Sequence, residues 1–150
     1  MTAFKPVDTA ALTPHKHPFI DGKPKQLLIG GRWCDAVSGR TFKSINPSTG
    51  KAIAEIADAG TEDIDLAVAA ARKAFDSTWR KVKPLDRQAI LLAAADLFEK
   101  RYEEFAWLDT IDYGGPSSRT RSGQRRHVGL LRYYAAQAVS LHGETIENSL

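Results

Sequence analysis

The sequence is short of several things at once. Its 150 residues contain one cysteine, Cys34, and one methionine. A single thiol excludes an intrachain disulfide framework and a CxxC metal knuckle, and it fits a reducing cytoplasm as the expected location. No apolar run approaches the length that spans a bilayer, so a soluble chain with no membrane partner is expected. A large charge excess is missing too. The 21 basic and 18 acidic residues leave a net +3, which by itself demands neither nucleic acid nor a lipid surface. Also absent are the GxxxxGKS/T phosphate loop, the GxGxxG dinucleotide turn, the HExxH zinc helix and the GxSxG nucleophile elbow.

What remains is an ordinary globular composition, 43% hydrophobic and 26% charged, in a chain long enough for one core. Residues 1–26 mix Pro, Lys and His without a continuous apolar stretch. They are expected to form a flexible leader rather than a secretory signal. From Leu27 to Ala57, turn chemistry cuts the chain into "LLI", "RWC", "TFKSI" and "AIAEIA". Gly30-Gly31, Asn46-Pro47 and Ser48-Thr49-Gly50 separate them, which predicts short strands paired as hairpins.

The period then becomes helical. Thr61 is placed to cap a helix whose apolar stripe is Ile64, Ala67, Val68, Ala71, Ala74 and Phe75. Pro84 suits the first position of a second helix, with Ile90, Leu91, Ala94, Leu97 and Phe98 as its expected buried face. Arg87 shares that face, which predicts an arginine tying the helix to a neighbour. "YEEFAWLDTIDY" reads as a third helix stopped by Gly114-Gly115-Pro116, and "SSRTRSGQ" as a polar connection. A fourth helix follows from about Gln124, with Val128, Leu131, Tyr134, Ala135 and Ala138 inward. "ETIENSL" reads as the start of a strand.

Three sets of residues carry chemistry worth weighing. Cys34 would need a base or a positive field to act as a nucleophile, yet it follows Trp33 in a predicted strand with no histidine placed beside it. A small, inert thiol is the expectation. His15 and His17 lie in the leader and are expected to be solvated. The run from Arg119 to Arg132, with Tyr133 and Tyr134 nearby, is the best nucleic-acid candidate, but near-balanced charge favours salt-bridged helix ends and no nucleic-acid partner.

The order of signals resembles the opening of the aldehyde dehydrogenase superfamily. The resemblance runs from "LLIGGRW" through "SGRTFKSINPSTGKAIAEI", "TEDIDLAVAAARKAFDSTWRK" and "LDRQAILLAAADLFEKRYEEFAWLDTIDYGGP" to "LRYYAAQAVSLHGETI", about Leu27 to Ile146. It implies an α/β fold with a Rossmann-type cofactor domain, of which residues 27–150 supply the N-terminal part, mainly helices with short β-hairpins. It implies oxidation of an aldehyde to a carboxylic acid through a cysteine thioester, with NAD or NADP and a homo-oligomeric complete enzyme. The family's thiolate, oxyanion-binding asparagine, glutamate base and cofactor-holding residues all follow the segment that "HGETI" matches. No catalytic or cofactor-binding residue is therefore assigned within this chain, which alone is expected to be inactive, and Cys34 has no match to the family nucleophile. The resemblance also implies a monovalent cation held near the backbone of Ser44 and Ile45 and by Asp112, oxygen donors that suit a hard ion. Two positions depart from the family pattern: Asp109 stands where glutamate is usual, and Gly115 where lysine is usual. The competing reading is a non-enzymatic helical interaction or subunit-docking module.

Overall fold

The computed structural model describes residues 17–144. Strands β1 (Leu27–Ile29) and β2 (Arg32–Cys34) form one antiparallel hairpin. Its turn is Gly30-Gly31, with φ of 59° and 79°, the backbone a tight right-twisting hairpin requires. A second hairpin joins β3 (Thr41–Ile45) to β4 (Ala52–Ala57), and its register shifts between Ser44 and Ile45. The Asn46 side chain accepts the Ser48 N–H at 2.9 Å and shapes the turn between them. All four strands fall where turn chemistry placed them.

The leader expected to extend to Gln26 is docked over its described part. Lys25 adds its backbone to the free edge of β4, giving its N–H to Glu55 O at 2.7 Å and accepting the Ala57 N–H at 2.9 Å. The exposed ladder of β4 is what captures it, because an unpaired strand edge offers ready donors and acceptors. The strand expected after residue 144 lies outside the described residues.

Five helices follow: α1 (Thr61–Ser77), α2 (Pro84–Lys100), α3 (Tyr102–Tyr113), α4 (Ser117–Ser122) and α5 (Gln124–Ser140), with a 3₁₀ turn at Trp79–Lys81. The cap of α1 differs from expectation, since Gly60 and not Thr61 is the N-cap residue. Asp63 caps in reverse. Its Oδ2 accepts the Gly60 N–H at 2.8 Å and its Oδ1 the Val37 N–H at 2.9 Å, joining α1 to the loop after β2. The polar connection "SSRTRSGQ" also differs, because its first six residues wind into α4.

Helices α2 and α5 pack against each other through Ala95 and Ala135, both fully buried, and through Val128. Small residues at the crossing let the axes approach closely. The expected inner faces are corrected here. On α2, Ile90 and Leu97 are more than half exposed and Leu91 is open, while Leu131 and Tyr134 on α5 also face outward. The middle of α2, Ala89–Ala95, is apolar on every side, so helical periodicity has no face to select there. The stripe of α1 is likewise uncovered at Ile64, Val68 and Phe75.

Arg87 does tie α2 to its neighbour, through backbone and not through an ion pair. Its guanidinium donates to the carbonyls of Trp79 and Arg80, each at 3.1 Å, and lies 5.7 Å from the centre of the Trp79 ring. Arg132 on α5 reaches back to α2, bonding Asp96 at 2.8 Å and Glu99 at 2.7 Å. These hydrogen bonds and charges, Asp96 first, hold the guanidinium more firmly protonated than an isolated arginine. The groups are substantially exposed, so Arg132→Ala should lower the urea midpoint only slightly at low salt. The cost should shrink as salt rises. A loss independent of salt would mean that the arginine stem, not its charge, stabilises the pair.

Candidate functional site

The residue that ends β3's regular ladder and the residue that nearly ends α3 meet at one point. Ser44 donates its hydroxyl hydrogen to Asp112 Oδ1 at 2.5 Å, across 68 positions of sequence. Two local features bring them together. The register shift beside Ser44 bends β3 at the hairpin end. The Asn46-Pro47 turn then sits under the end of α3, where Gly114 takes φ 80°. A Cβ on Gly114 would come within 2.8 Å of Pro47 Cγ, so the close approach depends on glycine.

Beside this contact lies a cleft of about 340 Å³. Its walls are the β3–β4 hairpin (Ile53, Ile56), helix α3 (Leu108, Asp109, Asp112) and the docked leader (Phe19, Ile20, Lys25). The cleft is an apolar enclosure with two carboxylates, one serine hydroxyl and one ammonium. Of the three sequence-assigned residues, Ser44 and Asp112 are therefore joined directly. Ile45 follows them at the shift, paired with Ala52, and its side chain is about half exposed at 47%. Among the described residues, no cluster of three or more His, Cys, Asp or Glu side chains is arranged to hold a metal.

The other candidates resolve differently. Cys34 is half-buried in β2, and among the described residues its thiol hydrogen-bonds only to the Leu27 carbonyl, at 3.6 Å. The basic run is neutralised in part: Arg121 pairs with Glu103 at 2.9 Å and Arg132 with two carboxylates on α2. His15 lies outside the described residues. His17, expected to be solvated, instead stacks on Trp107 with ring centres 4.8 Å apart and planes 2° from parallel. The flat indole face of Trp107 on α3, buried in the structure, gives the imidazole an apolar stacking surface.

Sequence reasoning missed a buried polar network at the α3–α4–α5 junction. Tyr102 donates to Thr120 O at 2.9 Å and meets His127 Nδ1 at 3.0 Å. Burial pushes the Tyr102 phenol up from its ordinary range, with the nearby Asp109 charge adding to it. Gly123 at the start of α5 leaves room for both rings, since a Cβ there would come within 2.8 Å of each. These bonds tie α3, α4 and α5 together at their junction. The available signal was Gly123 between two helical patterns.

Residues 33–149 match the model of the aldehyde dehydrogenase family. The chain belongs to the aldehyde dehydrogenase family. The mitochondrial benzaldehyde dehydrogenase of Antirrhinum majus is 43% identical over 139 residues, covering 91% of this chain and 26% of that protein. A mitochondrial aldehyde dehydrogenase of Mesocricetus auratus is 43% identical over 124 residues, covering 81% and 25%. Among solved structures, the gamma-glutamyl-gamma-aminobutyraldehyde dehydrogenase of Burkholderia cenocepacia superposes with a TM-score of 0.86 at 31% identity, covering 95% of this chain and 29% of that one. An aldehyde dehydrogenase of Bacillus cereus in complex with NAD+ gives 0.84 at 34% identity, covering 91% and 28%. The chain thus spans about a quarter of the length of the curated relatives it matches. Its helices and two antiparallel strand pairs are those of the N-terminal part of the aldehyde dehydrogenase fold.

Proposed function

We propose that this chain serves as the N-terminal part of an NAD- or NADP-dependent aldehyde dehydrogenase, an oxidoreductase converting an aldehyde to a carboxylic acid through a cysteine thioester. On this reading residues 27–150 belong to the cofactor domain of a homo-oligomeric cytoplasmic enzyme, and the reacting groups lie outside these 150 residues. One observation carries it: the helices bury only one side of their apolar surface. The run Ala89–Ala95 of α2 is apolar on every side, as in an interior helix, yet α5 covers one face and Ile90 stays more than half open on another. Such surface fits a segment built to be covered by more of the same fold.

The residues present do not fit the nicotinamide cofactor. Both glycine pairs are committed elsewhere, Gly30-Gly31 to a hairpin turn and Gly114-Gly115 to the end of α3. Neither is free to cradle a pyrophosphate, and no step is assigned to the cofactor on this chain. A monovalent cation fits better. Asp112 and Ser44 bring carboxylate and hydroxyl oxygens together beside the irregular backbone at Ile45, a donor set suited to a hard ion. We assign these three residues as its holders.

The test is direct. Purified chain incubated with an aliphatic or aromatic aldehyde and either NAD or NADP should form no reduced nicotinamide, and Cys34→Ser should leave that result unchanged. Turnover abolished by Cys34→Ser would overturn the assignment, because Cys34 would then be the nucleophile. The docking-module alternative rests on the same open faces. It is favoured only if the chain binds a partner unrelated to this family.

A further inference from the structure

We propose that the cleft beside Ser44 and Asp112 binds a small organic ammonium, its cationic head on the Asp109 and Asp112 carboxylates and its hydrocarbon part along Ile20, Ile53, Ile56 and Leu108. Such a site needs none of the reacting groups of the enzymatic reading.

The shape of the cleft suits a compact ligand. Its volume of about 340 Å³ falls at the lower end of the range of about 300–1,000 Å³ that small-molecule sites occupy. Three segments far apart in sequence wall it: β4 supplies Ile53 and Ile56, α3 supplies Leu108, and the docked leader supplies Ile20. Each of these four side chains is only half-buried, so apolar surface is left for a ligand to cover. The leader wall is fixed at both ends, by the Lys25 backbone on β4 and by the His17 ring on Trp107. A wall already in place spares a ligand the cost of ordering it.

The polar side of the cleft selects a cation. Asp109 and Asp112 stand one helical turn apart on α3 and share one of its faces. Both line the cleft and both are exposed. Asp112 uses Oδ1 to accept the Ser44 hydroxyl, and among the described residues neither carboxylate is paired with a cation. The cation in the lining, Lys25, gives its ammonium to Asp21 at 2.5 Å and lies 4.8 Å from the centre of the Phe19 ring. That hydrogen bond draws the Asp21 carboxyl below its usual range. The cleft is thus left with two unmatched negative charges.

These charges rank the ligand classes. A carboxylate would be repelled, and a neutral alcohol would gain only the apolar contacts. An ammonium gains both, with three N–H donors to divide between two carboxylates. The inorganic cation assigned to Ser44, Ile45 and Asp112 uses neither Asp109 nor the apolar walls, so the two kinds of ligand separate by experiment.

Amide chemical shifts of the intact chain, titrated with n-alkylammonium chlorides from ethyl to hexyl at constant ionic strength, test the site. Saturable shifts are expected at Ala54, Ile56, Leu108 and Asp112, with Ile90 on α2 and Leu130 on α5, both open to solvent, as reference amides. Each added methylene should tighten binding about threefold to fourfold, the worth of one buried CH₂, reaching the millimolar range with hexylammonium. Asp109→Asn changes an exposed position and should weaken hexylammonium about threefold to fivefold while leaving hexanol unchanged. Hexanoate should bind more weakly than hexanol, and Ile20→Ser should flatten the dependence on chain length. The same shifts with potassium chloride alone would show an inorganic ion at the Ser44–Asp112 contact and overturn the proposal. So would equal shifts at the reference amides, an affinity independent of chain length, hexanoate binding as tightly as hexylammonium, an unchanged affinity in Asp109→Asn, or no saturable shift with hexylammonium.

Discussion

Asp63→Ala is expected to lower the stability of the chain by about 3 kcal/mol, because it strips the acceptor from two backbone N–H groups at once. The Asp63 side chain is 3% exposed, and it bonds Gly60 at the start of α1 and Val37 in the loop after β2. Water reaches this position poorly, so the freed donors find no replacement. Asp63→Asn is the informative companion: its amide offers one acceptor oxygen, so one N–H stays satisfied and the loss should be about half. Urea titrations of the three proteins at one pH measure both effects. A loss in Asp63→Ala below about 0.5 kcal/mol, the range of unremarkable surface changes, would show that the loop and α1 do not depend on this carboxylate.

Gly114→Ala should cost about 2–3 kcal/mol, from two separable sources. The first is backbone strain, since φ of 80° is left-handed and side chains with a Cβ are disfavoured there by about 1–2 kcal/mol. The second is contact with Pro47 Cγ, 2.8 Å from the new Cβ. Pro47→Ala removes that ring atom, so Gly114→Ala in the Pro47→Ala background should retain only the strain. The difference between the two costs is the coupling energy of a double-mutant cycle. Strictly additive costs would mean that the turn does not seat against the end of α3, and that Ser44 and Asp112 meet for some other reason.

Much of the local structure was legible because short-range rules decide it. Gly30-Gly31 permits one kind of turn, Asn46-Pro47 and Gly50 another, and Gly114-Gly115-Pro116 can only stop a helix. The strands, α3 and the start of α2 at Pro84 follow from such rules. Failures cluster where more than one solution was locally acceptable. Thr61 and Gly60 could each cap the start of α1, and the choice went to Gly60 because Asp63 caps it while also reaching Val37. The face expected inward on α2 carried Ile90 and Leu97, which stay open; Ala95 is buried instead, because it is small enough to meet Ala135.

The candidate site was half legible. Family resemblance named Ser44, Ile45 and Asp112, yet no spacing rule joins residues 68 apart. Nor could periodicity show that His17 leaves water for the face of Trp107, because stacking partners separated by 90 positions leave no trace in either local pattern.

By itself, then, the sequence determined where the chain turns, which stretches are strands and, α4 aside, which are helices, and the family to which it belongs. These depend on backbone preferences over a few residues and on the order of motifs along the chain. Tertiary structure alone decided which helix faces are covered, that Ser44 reaches Asp112, and that residues 17–26 lie against β4 and α3. Those outcomes depend on shape and on hydrogen-bond partners brought close only when distant segments pack.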